Sequence, residues 1–551
     1  MRAGRLTSRA PFLCRPAALW TLVAIGAALR IFQYASDTSL WYDELSIVRN
    51  LVHRSAASLA TEPLRYDQVA PVGFMLTEKG ISRVLGESDL AFRILLLPVG
   101  LAALVMFLFL ARRLLDGGAV PFAVAMFAIG APFIRYSAEV KSYGIDIAAV
   151  IAMSLVALRL RETDSTRAGC VAAGLAGAGL VWFSQPAILT LAGLGGSLLA
   201  AWLFERDAPT ARALRVTVPI WAAACVASAA VAFRMVTPAT RAYMDTFWRL
   251  RQGFPPWPIE KPGDLLWPWD RVTLMFADNR VLAYPWPALY AALVIAGLAV
   301  LARRNRAGAL ILIGPLAVVV LAAVAEILPF HSRLSLSTLP AFVLAVAAAA
   351  ERVRRGLARR STALGAAVML ALFAGPALAV VRLPPPFFVE DHKTVLAFLR
   401  DHRQPGDAVF VFPYEMQAVE RYAAEYGLLP GDYEVGGCSS EDRRLFLRDV
   451  DRYRGRPRVW LIAGAVPALQ ALRLDVDGYL STIGTRKDEL AVASAKPLYP
   501  VSATLFDLSD SNRLAAASAA TYPIQVKPAP GDPRPNVVVR CEDRLRPLRK
   551  D

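Results

Sequence analysis

The chain has 551 residues, is 56% hydrophobic and carries a formal net charge of +16. Its mean hydropathy of +0.42 is too high, over this length, for one soluble core. The positive charge does not call for nucleic acid, because most of it falls at alternate ends of apolar segments, where it sets membrane topology.

Apolar runs near 20 residues recur, each long enough to cross about 30 Å of hydrocarbon as a helix. They predict eleven spans, at 17–35, 90–111, 119–136, 143–160, 168–184, 186–204, 214–236, 283–302, 307–328, 333–351 and 361–381. Every second junction is basic: Arg2, Arg5, Arg9 and Arg15; Arg112 and Arg113; Arg159, Arg161 and Arg167; Arg206, Arg212 and Arg215; Arg303, Arg304 and Arg306; Arg352, Arg354, Arg355, Arg359 and Arg360. The positive-inside rule then puts the N-terminus in the cytoplasm, and an odd span count puts residues 383–551 outside. A cleaved signal peptide is the rival reading of 1–35, and Arg30 interrupts its apolar stretch.

The outward segments carry the chemistry. The first, about 36–89, opens on Trp41-Tyr42-Asp43-Glu44 and holds an apolar stretch at 70–81 with Glu78 and Lys79 inside it, as suits a helix lying in the interface. The second is Arg135-Tyr136-Ser137-Ala138-Glu139-Val140-Lys141-Ser142-Tyr143. The third, 237–282, is rich in Pro and contains Trp248, Trp257, Trp267 and Trp269, which predicts a loop resting on the headgroups. The last, at His331 and Arg333, opens a late span. One face thus collects Asp43, Glu44, Arg135, Glu139, Lys141, His331 and Arg333. Acids there could activate an acceptor hydroxyl, while cations hold a phosphate; each residue alone could merely anchor its helix end.

The order of these stretches resembles the GT-C fold polyprenyl-phosphate-sugar-dependent glycosyltransferases. That family includes protein O-mannosyltransferase and lipid A aminoarabinose transferase relatives, and the likeness is greatest to the bacterial RgtA/B/C/D-like group. It rests on the acidic pair after the first span, on 70–93 as an interface helix leading into the second span, on Tyr136 to Tyr143, and on the arginine-led helix from Arg333 to Pro340. It covers about residues 15–385. Lys141 stands where the family usually has arginine, and Gln185 where a histidine often follows Ser184.

The resemblance implies a membrane α-helical domain over 1–382 that moves a sugar from a polyprenyl-phosphate donor to an acceptor hydroxyl, with inversion, at the outer face of the cytoplasmic membrane. Asp43 would be the general base, with Glu44 the second catalytic acid. Lys141 and Arg333, with Arg135 and His331 in reserve, would hold the donor phosphate. Glu139 and Tyr143 would meet the sugar or acceptor; Glu44 and Glu139 are also candidates for holding a divalent metal. Glycan, lipid and protein acceptors in the cell envelope all stay open. A secondary transporter or lipid flippase is the rival class, kept open by Asp146 and Glu326 just inside the same face. A non-catalytic receptor with an external domain is the third.

After Pro384-Pro385-Pro386 charge density rises, marking an extracytoplasmic domain over 383–511. Helices are predicted at 394–402, 415–426 and 441–453 and strands at 408–412, 458–463 and 503–508, giving a small α/β domain with a largely parallel sheet. Its predicted role is acceptor binding or shielding of the site. Residues 512–551 form a basic tail containing Pro and Arg, expected to be loosely ordered. Cys438 and Cys541 are the two cysteines this topology leaves outside, and a disulfide between them is one of two readings, free thiols being the other.

Overall fold

The computed structural model describes residues 16–163, 165–437, 444–464, 470–492 and 500–524. The Cys438–Cys541 pair, the end of the tail from 525, and Arg2, Arg5, Arg9 and Arg15 lie outside these.

Among the described residues nine helices are long and apolar enough to cross a membrane: Pro16–Ala35, Asp89–Leu114, Tyr143–Leu160, Pro186–Glu205, Ala208–Arg234, Pro287–Arg304, Arg306–Val324, Ser332–Ala358 and Thr362–Arg382. Two shorter apolar helices, Ala119–Ile129 and Arg167–Leu180, fall where the sequence predicted two further spans. The first of these is cut short for a visible reason. Pro132 cannot donate to the helical ladder, and the chain breaks at Gly130 before resuming as Ala131–Arg135. Arg30, buried in the first helix, donates to the carbonyls of Ala128 at 3.2 Å and Phe127 at 3.3 Å beside that break. The arginine that interrupts the first apolar run is therefore a structural plug for another helix's freed carbonyls.

The late helix Leu339–Ala358 is the centre of the bundle, with Leu339 to Glu351 all buried. Its alanines let neighbours approach closely, as small residues do where apolar burial alone gives no preference between helix and lipid. Gly297 of Pro287–Arg304 packs against the carbonyl of Ala345, where any Cβ would collide.

The C-terminal sheet comprises β1 (Ala408–Val411), β2 (Glu434–Val435), β3 (Val459–Gly464), β4 (Thr485–Val492) and β5 (Val501–Asp507) in the order β2-β1-β3-β5-β4. The expectation of a largely parallel sheet needs correcting. β1 pairs parallel with β2 and β3, but β5 runs antiparallel to β3, and β4 antiparallel to β5. β4 escaped the sequence reading because it is an edge strand built on Arg486, Lys487, Asp488 and Glu489, charges that blunt an open edge and hide the alternation. The helix Gln470–Ile483 that precedes it was also not predicted.

One face of this sheet, with Phe410, Leu461 and Phe506, packs on Phe446, Val450, Tyr479 and Leu480. On its other face Val409, Val411, Trp460 and Ile462 pack with Val395, Leu399 and Val419, and this core runs on into Leu40, Leu45, Ile47 and Val48 of the first loop. The sheet and the acidic motif share one hydrophobic core.

The 237–282 segment is more structured than a headgroup-resting loop. It forms helices Pro238–Arg249 and Trp267–Ala277. Trp248 and Trp267 point into protein, and Trp267 Nε1 donates to the Gln252 carbonyl at 2.9 Å. Trp257 is 79% exposed, and Ile259, Leu265 and Leu266 near it are also exposed.

Candidate active site

The acidic motif opens the helix Tyr42–His53, whose N-cap is Trp41. An indole cannot accept a hydrogen bond from the first turn, so the orphan donors of this helix need other partners. Glu44 takes the Trp41 N–H at 3.3 Å. It also accepts from the Val140 N–H at 2.8 Å and from Arg93 Nη2 at 3.0 Å. Arg93 in turn donates to the Thr38 carbonyl at 2.6 Å. Glu44 and Arg93 are both almost fully buried. Such a pair is costly to break and fixes the relative position of three segments.

Asp43 points differently. Its carboxylate meets Arg333 Nη2 at 2.7 Å, with both side chains still partly open to solvent. The Arg333 guanidinium lies 5.2 Å from the Trp41 ring centre and that of Arg135 lies 5.9 Å from it, so one indole contacts two cations. Arg135 is ion-paired to Glu139 at 2.6 Å, and Glu139 Oε1 is buried without a hydrogen-bond partner. Lys141 Nζ donates to Gln68 Oε1 at 2.6 Å. Burial pulls Lys141 below the ordinary lysine value; the carboxylate of Asp43 opposes this and Arg333 adds to it. Tyr143 is packed edge-on against Tyr136 at 5.2 Å.

The segment before Arg333 is strained. Ser332 has φ +44°, uncommon for a side chain other than glycine, and its Oγ donates to Asp278 Oδ2 at 2.8 Å. Phe330 N–H donates to the Gly253 carbonyl at 2.8 Å, which ties this segment to the 237–282 segment.

Of the predicted residues, the structure brings Asp43, Arg333, Arg135, Glu139 and Lys141 around Trp41 and the 139–141 turn. His331 was predicted as a reserve cation for the donor phosphate. It is buried, packs its ring 5.5 Å from Trp248, and is pushed down to about 4 by burial and by the charge of Arg271. A neutral imidazole can offer an N–H but no charge to a phosphate. Glu326 is exposed and meets Arg249 at 2.8 Å, which removes it as a buried coupling group. A divalent cation does not fit the residues proposed for it. The oxygens of Glu44 are occupied, Glu139 is shared with Arg135, and among the described residues no three His, Cys, Asp or Glu side chains converge.

Sequence reading passed over Gln68 and Asp278. Gln68 follows Tyr66 and Asp67, consecutive residues with φ +65° and +53°. Strain in consecutive non-glycine residues marks a loop built to present a side chain, but it cannot be seen before the backbone is known.

No family model matches the chain, and no curated protein matches it. Among solved structures it is similar to ArnT from Cupriavidus metallidurans bound to undecaprenyl phosphate, with 14% identity over 89% of this chain and 98% of that one, at a TM-score of 0.44. It is similar to the Archaeoglobus fulgidus oligosaccharyltransferase, with 12% identity over 84% of this chain and 71% of that one, at 0.46. Arabinofuranosyltransferase AftD from Mycobacteria gives 16% identity over 90% of this chain and 40% of that one, at 0.41. Likenesses this distant carry no weight on their own, and the reading of the site rests on its residues.

Proposed function

We propose that this chain is an integral-membrane glycosyltransferase that moves a sugar from a polyprenyl-phosphate donor to a hydroxyl of a cell-envelope acceptor. The observation that supports it most is the Asp43–Arg333 pair, a carboxylate still partly open to solvent beside a guanidinium, at the end of the helical bundle where Lys141 and Arg135 also gather.

In this reading Arg333 has two partners in turn. Without donor it neutralises Asp43. A lipid-linked phosphate entering beside Lys141 competes for the same fork, since guanidinium binds phosphate in bidentate fashion. Asp43, released, accepts the proton of the acceptor hydroxyl as that oxygen forms its bond to the anomeric carbon. The sugar–phosphate bond breaks on the opposite side, and the electron pair leaves with the lipid phosphate, whose charge Arg333 and Lys141 hold. The base is thus freed mainly when donor is present. Glu44 holds the motif in place through Arg93 and does not titrate in the step. Glu139 and Tyr143 are assigned to sugar or acceptor contact.

Mass spectrometry of envelope glycans from cells with and without the gene tests the reading. Loss of one glycan species on deletion, restored by the parent chain and not by Asp43→Asn, is the expected result. An unchanged glycan profile overturns it.

A further inference from the structure

The segment that follows the last span lies along the acidic motif. Gln33, near the end of the first helix, grips Phe387 through both backbone groups, donating to its carbonyl at 2.8 Å and accepting from its N–H at 2.6 Å. Ser39 Oγ donates to Asp391 at 3.2 Å and accepts from the Lys393 N–H at 3.0 Å. Farther on, Tyr422 accepts from the Leu40 N–H at 2.9 Å, and Tyr414 stacks on Tyr42 with ring centres 4.3 Å apart. Between these contacts Glu390 Oε2 accepts the Tyr42 N–H at 2.9 Å.

Tyr42 is the first residue of the helix that carries Asp43, and its N–H is one of the donors the helix cannot satisfy itself. The local acid Glu44 takes the Trp41 N–H, and the Tyr42 N–H is met from a distant segment. Glu390 supplies a carboxyl oxygen that takes this donor at the helix N-terminus. It is 2% exposed, and beside it lie His392 and Glu415, equally buried and joined at 2.5 Å.

We infer that Glu390 is a positioning residue for the transfer step: it caps the catalytic helix from the C-terminal region and so sets the direction of the Asp43 carboxylate. This rests on the reading of Asp43 as base. The arrangement gives the sheet domain a part beyond acceptor binding or shielding, because the domain fixes the base. It is also a costly way to make a cap. Burial pushes the Glu390 carboxyl up. Burial would likewise lower His392, but the hydrogen bond and charge of Glu415 outweigh it and hold the imidazole above its ordinary value. The outer oxygen of Glu390, Glu415 Oε1 and His392 Nδ1 have no hydrogen-bond partner.

The test compares Glu390→Ala, which removes the acceptor, with Glu390→Gln, whose amide oxygen can still take the Tyr42 N–H. Full-length proteins are expressed in gene-deleted cells, and the rate at which the lost glycan species is formed is measured in membrane vesicles. Hydrogen exchange of residues 39–46 and binding of undecaprenyl phosphate are measured on the same purified proteins. For Glu390→Ala we expect the rate to fall about tenfold to a hundredfold, exchange at Tyr42 and Asp43 to speed up, and undecaprenyl phosphate affinity to stay within about twofold. Glu390→Gln should recover the rate to within about threefold of parent. The inference is overturned if Tyr42 exchange in Glu390→Ala equals the parent's, if Glu390→Gln is as slow as Glu390→Ala, or if lipid affinity falls in step with rate, which would mark general unfolding. If instead Asp43→Asn forms product as the parent does, the reading of Asp43 fails, while the exchange data still decide whether Glu390 holds the helix.

Discussion

Asp43 and Arg333 form an ion pair at 2.7 Å, the first from the first turn of helix Tyr42–His53 and the second from the 3-10 helix Ser332–Thr338 that leads into the buried central helix. Neighbouring Glu44 and Arg93 form a second pair at 3.0 Å that is far more deeply buried. Two adjacent acids therefore have separate partners. The first pair is partly open to solvent; the second is not.

The Asp43–Arg333 pair predicts non-additive effects. Asp43→Asn should lower turnover by about 10²–10⁴-fold and Arg333→Ala should also be slow. Because each residue is the other's partner, the double variant should be little slower than the worse single one. Arg333→Lys should recover only part of the loss, since an ammonium offers a point charge and no planar fork. Initial rates of glycan formation in membranes check the cycle; strictly multiplicative losses would mean the two act independently.

The buried pair predicts instability instead. Glu44→Ala or Arg93→Ala leaves an uncompensated charge and should cost about 3–5 kcal/mol. Asp43→Asn should change stability little. Thermal unfolding of the detergent-solubilised chain distinguishes them, with the first two variants melting well below parent and Asp43→Asn close to it.

Lys141 should matter for the donor and not for folding of the sheet domain. Its ammonium is held by Gln68 at 2.6 Å. Lys141→Ala should raise the concentration of undecaprenyl phosphate needed for half-saturation by about tenfold or more, as expected for losing a charged hydrogen bond. Equal binding curves for variant and parent would remove Lys141 from the donor site.

The parts of this site that were legible in sequence are those written in one stretch. Asp43 and Glu44, the Arg135–Tyr143 junction and Arg333 stood out as charges at the outward ends of apolar runs. The buried partners of Glu44 did not, since Arg93 and the Val140 N–H are both distant in the chain. Gln68 and Glu390 were missed for the same reason: each looks like a solvated loop residue until the residue it bonds is known. The burial of His331 and the nearby charge of Arg271, which push its value down, were not visible locally either. The spans were legible because hydrocarbon demands long apolar helices. The antiparallel half of the sheet was not, because edge strand β4 is charged and the direction of pairing is set by tertiary contacts.

The segment between Gln252 and Trp267 should touch lipid through Trp257, Ile259, Leu265 and Leu266, all exposed. Tryptophan prefers the headgroup region. In vesicles containing brominated lipid, Trp257→Phe should lose a large share of the quenchable tryptophan fluorescence, whereas Trp267→Phe should lose little, because Trp267 is buried in protein. Equal losses would place this segment away from the bilayer.

Glu78 gives a pH-dependent test. It is fully buried in helix Val72–Leu85, and neither carboxyl oxygen has a hydrogen-bond partner. Burial pushes its value up from 4.5 to about 8. The folded protein thus holds a proton that the unfolded chain releases near the ordinary value. The resulting contribution to stability is full below about 4.5, declines as pH rises, and is gone above about 8. The melting temperature of the parent should therefore fall between pH 5 and pH 9 by more than that of Glu78→Gln, which has no proton to lose. The two proteins should be closest at pH 5, where the parent carboxyl is protonated in the fold. Parallel melting curves across that range would show that Glu78 is charged and solvated in the membrane-bound chain.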